Sequence, residues 1–234
     1  MLVLQTFRPA FGLLATSPFA AKADALLAMS GLPYAREYPD VRKAPRGKLP
    51  VLVDESKVIP DSAHIQRYLE TAHGIDFDGD MTVEQRAVAT AFRRLVEHHL
   101  YFINTYLRWN DTGDAVRDEY FAEVPGLLRN FVFNQVRKRV NRTLDLQGLS
   151  RHSRDQMLAF AYEDVNAIAA QLGSKPFMLG ERATSLDATV WAAISNLIDC
   201  TLPSPVGEHA KGHANLVAYN EHCRETFYPG GFDA

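Results

Sequence analysis

Three short stretches of this chain place a hydroxyl, a carboxylate or a free stretch of backbone where a bound anion or an extended ligand is favoured. The first is Ser17-Pro18-Phe19-Ala20. Proline suits the first position of a helix and serine the position before it, so Ser17 stands at a helix N-terminus. Free N–H groups and the helix dipole favour negative charge there, and a thiolate held at that point would be stabilised. Ser17 can be a helix cap and nothing more, or it can donate a hydrogen bond to such a thiolate. The second stretch is Lys48-Leu49-Pro50-Val51. Proline cannot donate to a sheet ladder and belongs at a strand start or an edge. The Leu49–Pro50 bond is either an ordinary trans bond, or a cis bond that turns the Leu49 backbone outward to pair with an extended peptide. The third is Asp61-Ser62 at a helix start. The Ser62 hydroxyl and its neighbouring N–H groups make a small nest for a carboxylate, and Asp61 can pair with an ammonium. Simple capping is the alternative at both residues.

The elements that must position these groups are legible around them. Met1 to Phe7 reads as a strand, and a helix runs from Ser17-Pro18 to Gly31, a helix-ending glycine. Tyr34 to Tyr38 is a short extended run. Pro50 to Asp54 and Lys57 to Ile59 form a hairpin, and a second helix starts at Asp61-Ser62 with Ile65, Tyr68, Leu69 and Ala72 on one face. The order βαβ then ββα closes a four-stranded sheet with helices packed on it. Asp76 to Asp80 reads as a linker, which gives domains of 1–76 and 82–234. Everything after it is expected to be helical. Thr82 and Gln85 have capping-box spacing and open a helix of about seven turns; others are expected over 114–144 and 153–172, from Ser185, and over 215–227. Thr184 and Asp187 also have capping-box spacing, with Asp in the Glu position, and this signal is structural.

Composition narrows the function classes. With 234 residues, 47% of them hydrophobic and a net charge of -3, the chain can bury real cores but carries no global field for nucleic acid or an anionic membrane. The only cysteines, Cys200 and Cys223, form no CxxC pair, so dithiol chemistry, a zinc site and a disulfide scaffold are all disfavoured and a reducing, cytoplasmic setting is expected. No apolar run reaches the ~20 residues of a membrane span. His98 and His99 are adjacent, so on a helix their side chains point about 100° apart and do not converge on a metal. Arg137-Lys138-Arg139 with Arg142 is a basic run without interleaved aromatics and reads as a solvated face.

The βαβ-ββα half, the Leu49-Pro50-Val51 turn, the Asp61-Ser62 pair and the Thr184-Ser185-Leu186-Asp187 box occur together and in order. That set resembles the glutathione S-transferase superfamily. Within it the chain is most similar to the branch of metaxins and failed-axon-connections proteins, through Arg46 to Pro50, Gln147 to Ser153, Lys175 to Thr189 and Pro203 to Tyr219. The resemblance implies a fold of α/β plus all-α type: a thioredoxin-like N-terminal domain and a helical-bundle C-terminal domain. It implies an enzyme that transfers glutathione, its co-substrate, to a small hydrophobic electrophile without a metal. It also implies a homodimer. A non-catalytic interaction or scaffold module on the same fold is the alternative.

Carried over by position, the resemblance assigns Leu49 and Pro50 to the cysteinyl backbone of glutathione, and Asp61 and Ser62 to its γ-glutamyl end. Ser17 falls on the residue that works on the thiol. Relatives of this branch carry the pattern S-P-F-C, where this chain has Ala20. The electrophile is expected between the domains, against Phe11, Leu13, Leu14, Tyr101, Tyr106 and Trp109. The chemistry required is modest. Lowering a thiol pKa of about 8.5 by 1–2 units stabilises the thiolate by about 1.4–2.7 kcal/mol, which one hydrogen bond to a charged group can supply.

Overall fold

The computed structural model describes residues 1–232. The N-terminal half holds β1 (Leu2–Gln5), α1 (Pro18–Ser30), β2 (Tyr34–Glu37), β3 (Val51–Asp54), β4 (Lys57–Pro60) and α2 (Ser62–Ala72). The four strands make one mixed sheet in the order β2-β1-β3-β4. β1 runs parallel to β2 and antiparallel to β3, and β3 runs antiparallel to β4. This is the thioredoxin-like arrangement expected from the element order. Pro18 occupies the first turn of α1, and Gly31 ends the helix at a φ of 68°. α2 is amphipathic, turning Ile65 and Leu69 inward.

Eight helices follow: α3 (Val83–Leu95), α4 (Tyr101–Asn110), α5 (Gly113–Tyr120), α6 (Gly126–Gln147), α7 (Arg154–Leu172), α8 (Ser185–Ile198), α9 (Pro205–Lys211) and α10 (Ala214–Phe227). The capping box at the start of α3 forms in both directions, Gln85 N to Thr82 Oγ1 at 3.2 Å and Thr82 N to Gln85 Oε1 at 2.9 Å. The long helix expected after it is interrupted by a π-helical turn, Val96–Leu100, between α3 and α4. A π turn adds a residue to the helical repeat and shifts the faces of the residues within it.

The single helix expected over 114–144 is instead two, α5 and α6, separated at Phe121–Pro125. Pro125 has no N–H and its ring clashes with the preceding turn, so it starts a helix where it cannot continue one. α9 lies outside the sequence expectation. Its signal is Ser204-Pro205, the same pair that opens α1, and Ser204 Oγ caps Gly207 N at 3.1 Å. The stretch read as a linker is tied down: the Asp78 carboxylate accepts from Ser185 N at 2.9 Å and Ser185 Oγ at 2.7 Å, at the head of α8.

The core is built on α1 and α8. α8 is buried from Ser185 to Leu197. Its Asp187 carboxylate is fully used, accepting from Met178 N, Thr184 N and Thr184 Oγ1, each at 2.8 Å, and from Tyr219 Oη at 3.1 Å. α1 is buried from Ala20 to Leu27, and its alanines let neighbouring elements come close. Within that stretch Lys22 is 1% exposed and donates to Glu97 of the π turn at 2.7 Å, an ion pair between the two halves of the chain. Burial pushes the Lys22 ammonium pKa below its ordinary value, and Glu97 opposes that shift.

A buried charge stripped of its partner is costly, while replacing both partners with apolar groups is often neutral. Glu97→Ala is therefore expected to destabilise the fold by about 3–5 kcal/mol, and Lys22→Met with Glu97→Leu to recover most of the loss. Urea unfolding of the two variants checks this. A Glu97→Ala cost below about 1 kcal/mol, the range of an exposed pair, would remove the ion pair from the account.

Candidate active site

Ser17, Leu49, Pro50, Asp61 and Ser62 come from separate parts of the sequence, and the sheet topology brings them to one end. Gln5, the last residue of β1, is paired with Val51 at the start of β3, and Val51 is paired with Pro60 at the end of β4. The chain leaves β1 at that end and returns through α1. Ser17 at the head of α1, Leu49-Pro50 before β3, and Asp61-Ser62 after β4 therefore share the carboxyl end of β1. Ligands of α/β sheets commonly bind at such strand ends.

Ser17 caps α1 with its backbone alone. Its carbonyl accepts from Ala20 N and Ala21 N, both at 3.0 Å. Its side chain makes no cap bond, so the half-buried hydroxyl stands unspent beside the helix N-terminus. Ala20 is 0% exposed and faces the core. The residue that sets this chain apart from the S-P-F-C pattern therefore changes packing behind α1, not the surface that Ser17 presents.

The loop leading into Ser17 is held by the helical half. Arg108 of α4 donates to the Thr16 carbonyl at 2.6 Å, Asn196 of α8 to the Ala15 carbonyl at 3.3 Å, and Thr201 N to the Phe11 carbonyl at 3.0 Å. Gly12 is required in this loop. Its φ is +77°, and a Cβ there would lie 2.9 Å from the Asp199 carbonyl oxygen.

The Leu49–Pro50 peptide bond is cis. The Leu49 N–H and C=O make no hydrogen bond among the described residues, while Pro50 O accepts from Asp61 N at 3.1 Å. That last bond joins the second and third candidate stretches. Asp61 has a φ of 85°, uncommon for a residue with a side chain, and its carboxylate accepts from Ala63 N at 2.9 Å. Ser62, the first residue of α2, is 3% exposed, and its hydroxyl makes no hydrogen bond among the described residues. The arrangement offers one backbone edge, two hydroxyls, one carboxylate and two helix N-termini. Chemically it suits an extended peptide-like molecule carrying a carboxylate at one end and an anionic atom at Ser17.

The apolar candidates divide into two groups. Phe11 packs on Tyr120 with ring centres 5.6 Å apart, Tyr120 on Trp109 at 6.2 Å, and Trp109 stacks on Phe133 at 6.0 Å. This chain of rings links the loop before Ser17 to α4, α5 and α6. Tyr101 instead packs edge-on against Phe19 of α1 at 4.8 Å. Leu14 and Tyr106 lean on the core, and Leu13 is buried.

Tyr120, Phe133, Phe19 and Arg108 are the contributors that sequence reasoning missed. Tyr120 carries the most chemistry among them, because its phenol ring joins Phe11, in the loop before Ser17, to Trp109 of α4. Burial raises its pKa and Arg108 opposes the rise. No local signal distinguishes Tyr120 from other aromatic positions on an amphipathic helix; only the fold brings it to Phe11.

Comparison with known proteins finds relatives of this fold. A family model described as glutathione S-transferase N-terminal domain matches residues 18–113, and one described as glutathione S-transferase C-terminal domain matches residues 161–223. The chain is 30% identical to an isoprene-epoxide–glutathione S-transferase of Rhodococcus sp. (strain AD45), over 97% of this chain and 99% of that protein. It is 27% identical to failed axon connections of Drosophila melanogaster, over 91% of this chain and 54% of that protein. It is 24% identical to human metaxin-2, over 79% of this chain and 72% of that protein. Among solved structures, a beta-etherase from Sphingobium sp. strain SYK-6 superposes with a TM-score of 0.65 at 17% identity, covering 97% of this chain and 98% of that one. Similarity over nearly its whole length to a glutathione S-transferase, and matches to both domains of that family, show that the chain belongs to the glutathione S-transferase family.

Proposed function

We propose that the protein is a glutathione transferase that joins the thiol of glutathione to a small apolar electrophile, an epoxide being the class that the Rhodococcus relative's name points to. The observation that carries this reading is the Ser17 hydroxyl, placed at the head of α1 and left out of capping it. In this reading glutathione lies extended along Leu49, beside Pro50, with its γ-glutamyl end at Asp61 and Ser62 and its sulfur at Ser17. The Ser17 hydroxyl donates to the thiolate, and the α1 dipole adds to the stabilisation. The sulfur attacks an epoxide carbon. A C–S bond forms, the C–O bond breaks, and the electron pair stays on the oxygen, which takes a proton to give a hydroxy thioether. Phe11, Tyr120 and Trp109 supply the apolar side of the site, and the Tyr120 phenol, kept protonated at neutral pH, is the nearby acid.

Ser17→Ala is expected to lower turnover roughly 10- to 100-fold, the worth of one hydrogen bond to a charged group, with glutathione affinity nearly unchanged. The pH midpoint of the reaction moves up by about 1–2 units, because the bound thiol loses its stabilising donor and titrates nearer its free value. Turnover that stays the same across the pH range would exclude Ser17 from this role.

Ser62→Ala is expected to weaken glutathione binding by roughly tenfold in a calorimetric titration, in line with the loss of a hydrogen bond to a carboxylate. Absence of any binding at millimolar glutathione in the unaltered protein would favour the non-catalytic reading instead. Its support is the similarity to failed axon connections and to metaxin-2.

A homodimer in a reducing, cytoplasmic setting belongs to the same proposal. Leu127, Leu128 and Phe131 lie exposed on α6, an apolar patch that a second copy would cover, and Cys200 and Cys223 are free thiols buried in the fold. Light scattering is expected to give twice the chain mass, falling to the chain mass in Leu127→Asp/Phe131→Asp. A monomeric unaltered protein would rule the dimer out.

A further inference from the structure

Two histidines outside the candidate active site point at one atom. His209 lies in α9, and His213, four residues on, caps the start of α10. His209 Nε2 lies 2.8 Å from Asn166 Oδ1 of α7, and His213 Nε2 lies 3.0 Å from the same oxygen. Two ring nitrogens, each within hydrogen-bond reach of a single acceptor, converge on one small volume. The turn at Gly212 between α9 and α10 makes this possible. The neighbours His98 and His99 do the opposite: His98 faces Arg94, and His99 faces Asp164.

We propose that His209 Nε2, His213 Nε2 and Asn166 Oδ1 form a binding site for a divalent transition-metal ion of the zinc, copper or nickel class. The first argument is spacing. The two imidazole centres are 5.2 Å apart. Two imidazoles bound through Nε2 to one tetrahedral ion at about 2.0–2.1 Å have their centres about 5 Å apart. The rings therefore need little movement to share an ion.

The second argument is preorganisation. Tyr162 of α7 stacks on the His209 ring with centres 4.3 Å apart and planes 26° from parallel, which fixes the ring's orientation. The third is access and charge. Asn166 is exposed and both histidines are half-buried, so an ion can reach the site from solvent. The nearby Lys211 ammonium is paired with Glu208 at 2.9 Å.

The donor set selects the ion. Imidazole nitrogens suit zinc, copper and nickel, whereas calcium and magnesium prefer an all-oxygen shell. Without metal, each Nε2–H donates to Asn166. On binding, each neutral imidazole moves its proton to Nδ1 and offers the Nε2 lone pair, so no net proton is released. Asn166 Oδ1 changes from hydrogen-bond acceptor to third ligand, and water completes the shell. The ion would clip the α9–α10 turn to α7.

The test is a calorimetric titration of the full chain, without a polyhistidine tag and in thiol-free buffer, with Zn2+. One saturable site is expected. His209→Ala and His213→Ala should each weaken it at least tenfold. Asn166→Asp should tighten it at least threefold by supplying a carboxylate to the cation, a gain that loss of fold cannot produce. Absence of saturable binding, or an affinity in either histidine variant equal to that of the unaltered protein, would overturn the proposal.

Discussion

A charged side chain buried in α1 must find its partner inside the protein, and α1 buries two. Lys22 and Asp24 are each 1% exposed and two residues apart, so they leave the helix in different directions. Lys22 is met by Glu97 from the helical half. Asp24 is met by Arg36 Nε at 2.6 Å, Tyr34 Oη at 2.8 Å and Tyr228 Oη at 2.8 Å, from β2 and from the segment after α10. Arg36 also donates to the Phe232 carbonyl, close to the end of the described chain. An unpaired charge at either position would cost several kcal/mol, so α1 has one acceptable seat. Sheet, helical half and C-terminal segment all dock on it, and Ser17 at its head inherits that position.

The fixed seat explains how a site made from loops and helix ends can be held in place. Loops are ordinarily mobile. Here the loop before Ser17 is pinned at Phe11, Ala15 and Thr16 by groups from α4, α8 and the residues after α8. The Leu49-Pro50 turn is joined to Asp61 by a backbone hydrogen bond. The strand register then determines which residues meet. Gln5, Val51 and Pro60 are laterally paired, so the segments that leave or enter these strands at that end lie together. Moving β3 by one residue relative to β1 would turn its side chains to the opposite face and displace Leu49 from this end.

What the sequence revealed and what it hid follow from the range of the interactions. Ser17-Pro18, Gly31, Thr82 with Gln85 and Thr184 with Asp187 are local signals, and each produced the element or cap expected of it. Leu49-Pro50 and Asp61-Ser62 were also readable as positions, because proline and helix starts constrain the backbone locally. The π turn was not, since Val96–Leu100 has the composition of any helix and its extra residue is set by what Glu97 and His99 must reach. The break before α6 was readable from Pro125, which can start a helix but not continue one. Tyr120 and Arg108 were beyond reach, because their partners Phe11 and Thr16 are about a hundred residues away in the chain.

Relatives named as an enzyme and relatives named otherwise share this frame, so the frame does not account for the groups at the end of the sheet. Stability alone would use them differently. A serine before a helix ordinarily gains about 1 kcal/mol by capping with its hydroxyl, as Ser153 and Ser204 do in this chain. Ser17 forgoes that gain. The Ser62 hydroxyl, and the Leu49 amide and carbonyl at the same end of the sheet, make no hydrogen bond among the described residues. These groups keep their hydrogen-bonding capacity for solvent or for a ligand, and each stands beside a backbone feature that favours an extended anionic one. This disposition is the physical ground of the proposed activity, beside the family membership that the relatives show.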